Sequence, residues 1–322
     1  MTRLSQLTFS LLLGLIAMMG PSEQAKAQAF PEKPVRIIVQ TAAGSSIDVA
    51  ARILADNLTR RWNQQVIILN QPGAGGAIAT RALASAPNDG YTLFFAASSV
   101  FVVLPELQKA LAADVNSFVP IAFVGETPMA IAVSSKTPAK SLAELVALAK
   151  QTTGGLNVAV STRGGLSHLS AEALRERAKM EMTFVHYPGT AQALTDVIAD
   201  RVPVIVDSIS AIVGPASGGQ VRLLAVAGPS RLKSLPDIAT ASEALPGFEA
   251  MAWFALVAPK GTNADIVRQI GKDVDAVLQE PAVAKRLQEL GAFPRPMSPE
   301  ALQAFIEAQK KQWAPIVQRA GG

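Results

Sequence analysis

The chain has 322 residues, 49% of them hydrophobic, 17% charged and 5% aromatic, with a formal net charge of +4 and no cysteine. That length favours two domains over a single core, and the apolar content is ample for both, which excludes a disordered chain. The mild positive balance, with no Lys/Arg run interleaved with aromatics, excludes a nucleic-acid binder, and the missing cysteines exclude disulfides and thiolate metal sites.

The first segment reads as an export signal. Arg3 gives a short positive start, residues 7–20 are almost uninterrupted apolar, and Ala25-Lys26-Ala27 or Ala27-Gln28-Ala29 offers a small-residue cleavage site. The spacing predicts a signal peptide over 1–27, too short to span a bilayer comfortably and followed by no second apolar run of that kind. No cysteine follows the cleavage region, which excludes a lipoprotein anchor. Cleavage after Ala27 removes Arg3, Glu23 and Lys26 and leaves 27 basic and 24 acidic residues. A soluble periplasmic protein is the expectation.

Strand-like and helix-like segments then alternate. Val35-Arg36-Ile37-Ile38-Val39 predicts a strand, and Val49, Ile53, Leu54, Leu58 and Trp62 recur at helical spacing over 47–61. A strand over 66–69, a helix over 78–84 and a strand over 91–95 follow. Further strands are expected at 130–133, 156–160, 204–207, 222–226 and 253–257. Ser141-Leu142-Ala143-Glu144 is a capping box opening a helix over 141–150. Thr262 and Ser298 are expected N-caps near the end, the latter followed by Pro299. Short strands separated by helices predict right-handed βαβ units, whose ligands bind at the carboxyl ends of the strands.

Two stretches repeat one design, an apolar strand entering a small polar loop that opens into a helix. The first leads into Gly44-Ser45-Ser46-Ile47-Asp48, the second from Leu156-Asn157-Val158-Ala159-Val160 into Ser161-Thr162-Arg163-Gly164-Gly165-Leu166-Ser167-His168. Helix N-termini leave N–H groups unpartnered and carry partial positive charge, so two aimed at one cleft form an anion clamp. That points to a small acidic ligand.

Other chemistries lack their signatures. Pro72-Gly73-Ala74-Gly75-Gly76 fails as a dinucleotide fingerprint because GxGxxG needs glycine at Ile78, and reads instead as a tight turn with close packing. The only histidines are His168 and His186, with no GxSxG and no HExxH, so neither a hydrolase nor a zinc site is indicated. A triad of Ser45, His168 and Asp207 can be assembled on paper only. Ser45 and Asp48 have capping spacing, which makes Asp48 a cap or loop brace rather than a ligand contact, while Ser46 has no evident structural duty. Thr162 and Ser167 serve either as caps or as donors to an anion, and His168 either faces the cleft or is a satisfied core residue. Arg163, beside two glycines and a helix N-terminus, suits a carboxylate.

Several longer motifs carry a resemblance: Asn70-Gln71-Pro72-Gly73-Ala74-Gly75-Gly76, Ala86-Pro87-Asn88-Asp89-Gly90-Tyr91-Thr92-Leu93, Leu245-Pro246-Gly247-Phe248-Glu249, and Trp253 through Ala258-Pro259-Lys260-Gly261-Thr262. Over the whole mature chain, the sequence resembles the extracytoplasmic solute receptors of the tripartite tricarboxylate transporter group, also called Bug receptors. The resemblance implies an α/β, two-lobed periplasmic-binding-protein-like (type II) fold, with mixed, mainly parallel sheets flanked by helices and a ligand cleft between lobes. The lobes would be 28–124 plus 251–322 and 125–250, with crossings near 123–125 and 248–253. It further implies a monomer that holds a ligand carboxylate between the loops at 42–46 and 161–168 and delivers it to membrane permease subunits, with no cofactor and no metal.

The candidate ligand residues are Ala43, Gly44, Ser45, Ser46, Ser98, Ser99, Phe101, Thr162, Arg163, Ser167, His168, Thr190 and Asp207. The chain departs from the usual family pattern in its first loop, Thr41-Ala42-Ala43-Gly44-Ser45, and after the third strand, where Phe101 and Val102 replace a commonly polar stretch. Those two are expected to form an apolar wall, favouring a dicarboxylate with an apolar or aromatic body over citrate. A sensing subunit of a membrane kinase would need the same cleft, and a periplasmic hydrolase is a third alternative.

Overall fold

The alternation of strand and helix runs through the computed structural model, which describes residues 30–161 and 164–320. The expected signal peptide lies outside the described residues, as do Thr162 and Arg163. From Lys33 onward the described residues belong to one unit.

In the first part of the chain, β1 (Val35–Val39), α1 (Ser46–Trp62), β2 (Val66–Asn70), α2 (Ala77–Ala84) and β3 (Thr92–Ala97) follow the expected order, and a short helix that the sequence did not predict, α3 (Ser98–Val102), comes next. Two short helices, α4 (Leu104–Leu107) and α5 (Ala112–Ser117), lead to β4 (Val119–Ser134). The middle comprises α6 (Leu142–Gln151), β5 (Leu156–Ser161), α7 (Leu166–Ala178), β6 (Met182–Tyr187), α8 (Thr190–Ile198), β7 (Val204–Ser208), α9 (Ile209–Ser217), β8 (Val221–Val226) and α10 (Ala241–Ala244). Strand β9 (Met251–Ala258) and helices α11 (Ala264–Leu278), α12 (Pro281–Glu289) and α13 (Pro299–Ala320) complete it.

The strands lie in the order β2-β1-β3-β9-β4-β7-β5-β6, with β8 on β4. Both outer groups are parallel, β2-β1-β3 and β7-β5-β6, as βαβ units require. Antiparallel β9 and β4 join them. Strand β4 pairs with β9 as far as Pro128 and with β7 and β8 from Met129 onward. It is 16 residues long where the sequence predicts only 130–133. Pro120, Gly125 and Pro128 conceal the rest, and register shifts between Pro120 and Ala122 and between Phe123 and Gly125 accommodate the irregular backbone.

Burial explains why these strands are continuous apolar runs. Val35, Ile37 and Val39 are fully buried, and β4 is buried throughout 121–134. Trp253 anchors the core, stacked on Phe101 at 5.2 Å between centroids and edge-on to Phe305 at 5.4 Å. Both are offset or T-shaped contacts of the kind that add to area burial.

Local signals fare unevenly. Ser141 caps α6 as expected, accepting the Glu144 N–H at 3.1 Å, but the Glu144 carboxylate receives the Lys140 N–H at 2.8 Å rather than that of Ser141. Ser298 accepts the Ala301 N–H at the start of α13. Thr262 is not the cap of α11: its hydroxyl donates to Pro259 O, and Asn263 accepts the Asp265 N–H at 2.7 Å instead. The glycine-rich segment is the expected tight turn, with Gly73, Gly75 and Gly76 at positive φ. A Cβ on Gly76 would meet Val100 at 3.2 Å and Gln40 at 3.3 Å.

Candidate functional site

The first loop leaves β1 and enters α1 through a hydrogen-bonded corner. Ser45 is the N-cap, its hydroxyl accepting the Asp48 N–H at 3.2 Å and lying 2.7 Å from the Thr41 hydroxyl. Gly44 takes φ +84°, a region open to glycine, and its N–H donates to Asp48 Oδ2 at 2.8 Å. Asp48 also accepts from Arg52 Nε at 2.9 Å and from Asn70 Nδ2 at 2.8 Å, while Asn70 ties back to Thr41 O. Burial works against its charge. The bonds from Arg52, Asn70 and Gly44 outweigh that and hold the carboxyl down at about 2. Asp48 is therefore a loop brace, and Ser45 is a cap.

With the Ser45 and Asp48 N–H groups engaged locally, the first turn of α1 still presents those of Ser46 and Ile47, two of the four that an α-helix cannot satisfy itself. Ala43 is exposed beside them. The end of β3 is tied to the same corner: Gln40 accepts the Ala97 N–H at 3.0 Å and donates to Ser99 Oγ at 3.2 Å. Ser98 is buried at the start of α3. Phe101 and Val102 are buried as well, so the area expected as an apolar wall is covered by Trp253 and the core.

The second loop leaves β5 and enters α7 differently. Gly165 is the N-cap, and a glycine has no side chain with which to cap this helix. The loop is held from inside the first turn of α7. Ser167 Oγ accepts the Ser161 N–H at 2.9 Å and donates to Val206 O at 2.6 Å, while His168 Nδ1 accepts the Gly164 N–H at 3.1 Å. His168 is 3% exposed, with its ring edge-on to Phe184 and His186. Of the two alternatives, it is the buried residue.

Asp207 ends β7 beside this loop, accepting from Ser208 N at 2.7 Å and from Thr190 Oγ1 at 3.0 Å. Burial pushes its carboxyl up, against the pull of hydrogen bonds from Ser208, Ser161 and Thr190. Ser167, Thr190 and Asp207, distant in sequence, thus meet at the carboxyl ends of β5 and β7. The paper triad does not form, since Ser45, His168 Nδ1 and Asp207 are each bonded to a different local partner. Sequence reasoning missed Gln40, Thr41, Arg52 and Asn70. Of these, only Arg52 carried a signal, four residues from Asp48 on one helix face.

A cavity of about 510 Å³ lies elsewhere, lined by Pro128, Arg231, Met251, Lys285 and Phe293 among others, and none of the candidate residues lines it. Among the described residues no helix is long and apolar enough to cross a membrane, and no group of acidic and histidine side chains could hold a metal ion.

A mixed sheet of two parallel groups joined by antiparallel strands, with polar loops opening into helices at the strand ends, is the fold of periplasmic binding proteins, which are receptors rather than enzymes. Residues 50–321 match the family described as tripartite tricarboxylate transporter family receptor, and the chain belongs to that family. A UPF0065 protein of Bordetella bronchiseptica is 35% identical over 95% of this chain and 90% of its own length. Among solved structures, R. palustris Rpa4515 with adipate is 31% identical with a TM-score of 0.78, covering 91% of this chain and 98% of that one. MatC of Rhodopseudomonas palustris with bound malate is 32% identical with a TM-score of 0.74, covering 89% of this chain and 100% of that one.

Proposed function

We propose that this chain is a periplasmic receptor that captures a small dicarboxylate and presents it to the permease subunits of a tripartite tricarboxylate-type transporter. Export follows from the signal peptide expected over 1–27. Residues 28–124 with 251–322 form one lobe and 125–250 the other; the exchange of partners along β4, from β9 to β7 and β8, supports that division. One ligand carboxylate accepts the N–H groups of Ser46 and Ile47 from one lobe and those at the entry of α7 from the other. Arg163 takes the second charge. Thr162 and the hydroxyls of Ser98 and Ser99 are the further polar groups of the site.

The observation that carries this reading is the α7 N-terminus, whose N-cap is a glycine, in a chain whose relatives of similar fold hold adipate and malate. A carboxylate at that place completes the helix. Hydrogen bonds to charged groups contribute about 1.5–3 kcal/mol, so Arg163→Ala lowers adipate affinity roughly ten- to a hundredfold. Hexanoate, with one carboxylate on a chain of the same length, loses much less. Calorimetric titration of both proteins with adipate, hexanoate and citrate is the test. Equal losses for adipate and hexanoate would remove Arg163 from its role, and citrate binding more tightly than adipate would reject the dicarboxylate.

A further inference from the structure

The second loop is tied by two side chains from the same helical turn, and only one of them titrates. Ser167 accepts the Ser161 N–H through a hydroxyl that is itself anchored on Val206 O, a link indifferent to pH. His168 accepts the Gly164 N–H through Nδ1. An imidazole nitrogen accepts only while it carries no proton, so the neutral ring must hold its hydrogen on Nε2, which lies 3.7 Å from Glu172 Oε1. Gly164 has φ +73° and precedes an N-cap whose side chain offers nothing, so this bond fixes the corner by which the chain enters α7.

We propose that His168 is a positioning residue: its neutral imidazole sets the Gly164–Gly165 corner at the start of α7, and protonation of the ring releases that corner. As a statement about ligand affinity this rests on the carboxylate site proposed above; as a statement about Gly164 it does not. On protonation Nδ1 becomes a donor and faces another donor, the Gly164 N–H, so the bond is lost and the two groups repel. The titratable groups facing the ring are Glu172 on α7, which pairs with Arg175 at 2.5 Å, and His186 on β6. Glu172 accepts the charge on Nε2 but offers nothing to Gly164. The corner is therefore held while the ring is neutral and let go when Nδ1 gains a proton.

Two substitutions separate the acceptor from the bulk. His168→Asn places an amide oxygen near the position of Nδ1 and cannot titrate there; His168→Leu fills the space without an acceptor. The measurement is the protection factor of the Gly164 amide by NMR hydrogen exchange in the whole mature protein, at pH 7.5 and pH 5.5, with adipate titrated calorimetrically in parallel. Wild type is expected to lose about three- to tenfold in protection on acidification, the range set by one ordinary hydrogen bond. His168→Asn stays level between the two pH values, and His168→Leu is low at both. Adipate affinity follows the same order. Equal protection of Gly164 in wild type and His168→Leu at pH 7.5 would overturn the proposal, as would an acid-induced loss in His168→Asn equal to that of wild type, which would assign the titration to His186 or Asp207. Protection that follows the acceptor in a protein that binds no carboxylate upholds the role of His168 and rejects the ligand site.

Discussion

Both strand–loop–helix units, β1 into α1 and β5 into α7, lie beside a buried aspartate, and they treat its charge in opposite ways. Asp48 in the first is surrounded by a guanidinium, an amide and a backbone N–H, and its carboxyl is held down at about 2. Asp207 beside the second accepts from hydroxyls and one N–H, and burial pushes its carboxyl up. The helices differ in parallel: α1 is capped by the Ser45 hydroxyl, whereas the N-cap of α7 is Gly165. The first corner is braced by its own charged groups. The second opens its helix with a glycine next to a carboxyl that resists ionisation, an arrangement suited to a visiting anion.

The comparison breaks most readily at Asp48. Asp48→Asn keeps the shape but removes the charge that Arg52 and the Gly44 N–H require, and is expected to cost about 2 kcal/mol in urea unfolding at pH 7. Because the folded carboxyl titrates below the ordinary carboxylate value, its contribution is complete above about pH 4 and is lost as the pH falls toward 2. The deficit of the variant should therefore shrink over that window. A deficit unchanged at pH 3 would mean that the brace is packing rather than charge.

A smaller effect is expected from Ser45→Ala, which removes the cap and the Thr41 contact and should cost about 1 kcal/mol by the same assay. The N-cap of α7 is a glycine and is untouched by this change, so saturating adipate should raise the melting temperature of wild type and Ser45→Ala alike. If the cap variant no longer responds to adipate, Ser45 is a ligand contact and not a cap alone.

The smallest effect, and the sharpest contrast, belongs to Asp207→Asn. A carboxyl whose folded value is raised favours the fold most at low pH and loses that advantage as the pH climbs through the raised value. An asparagine does not ionise. Relative to wild type, the variant should gain stability as the pH rises above the ordinary carboxylate value, opposite in sign to Asp48→Asn. Matching signs would dissolve the distinction between the two corners.

What could be read from the chain follows the range of the interactions. Short-range features were legible: the helix behind the first loop, the Ser45 and Ser141 caps, the glycine turn, and Asp48 as a brace. The partners of Asp48 were half legible, since Arg52 stands one helical turn away but Asn70 arrives on a separate strand. Strand β4 was mostly hidden, because its proline and glycine positions are breakers by local rules. Gly125 is required by a distant segment: a Cβ there would sit 3.3 Å from Phe293 O, where residue 293 bridges Glu126 through paired backbone bonds of 3.1 and 2.8 Å. The gathering of Ser167, Thr190 and Asp207 had no local signature either, as it is made by the order of β5 and β7 in the sheet. Phe101 shows the converse limit, an aromatic whose place against Trp253 is decided by tertiary packing alone.

The central claim is that one carboxylate is shared by both loops, and a bulky residue placed in either loop tests it most directly. Ser46→Trp and Thr162→Trp, each confirmed to be folded by circular dichroism, are titrated calorimetrically with adipate beside wild type. The account predicts that wild type binds and that each variant alone abolishes binding; adipate binding in both variants at wild-type affinity would contradict it.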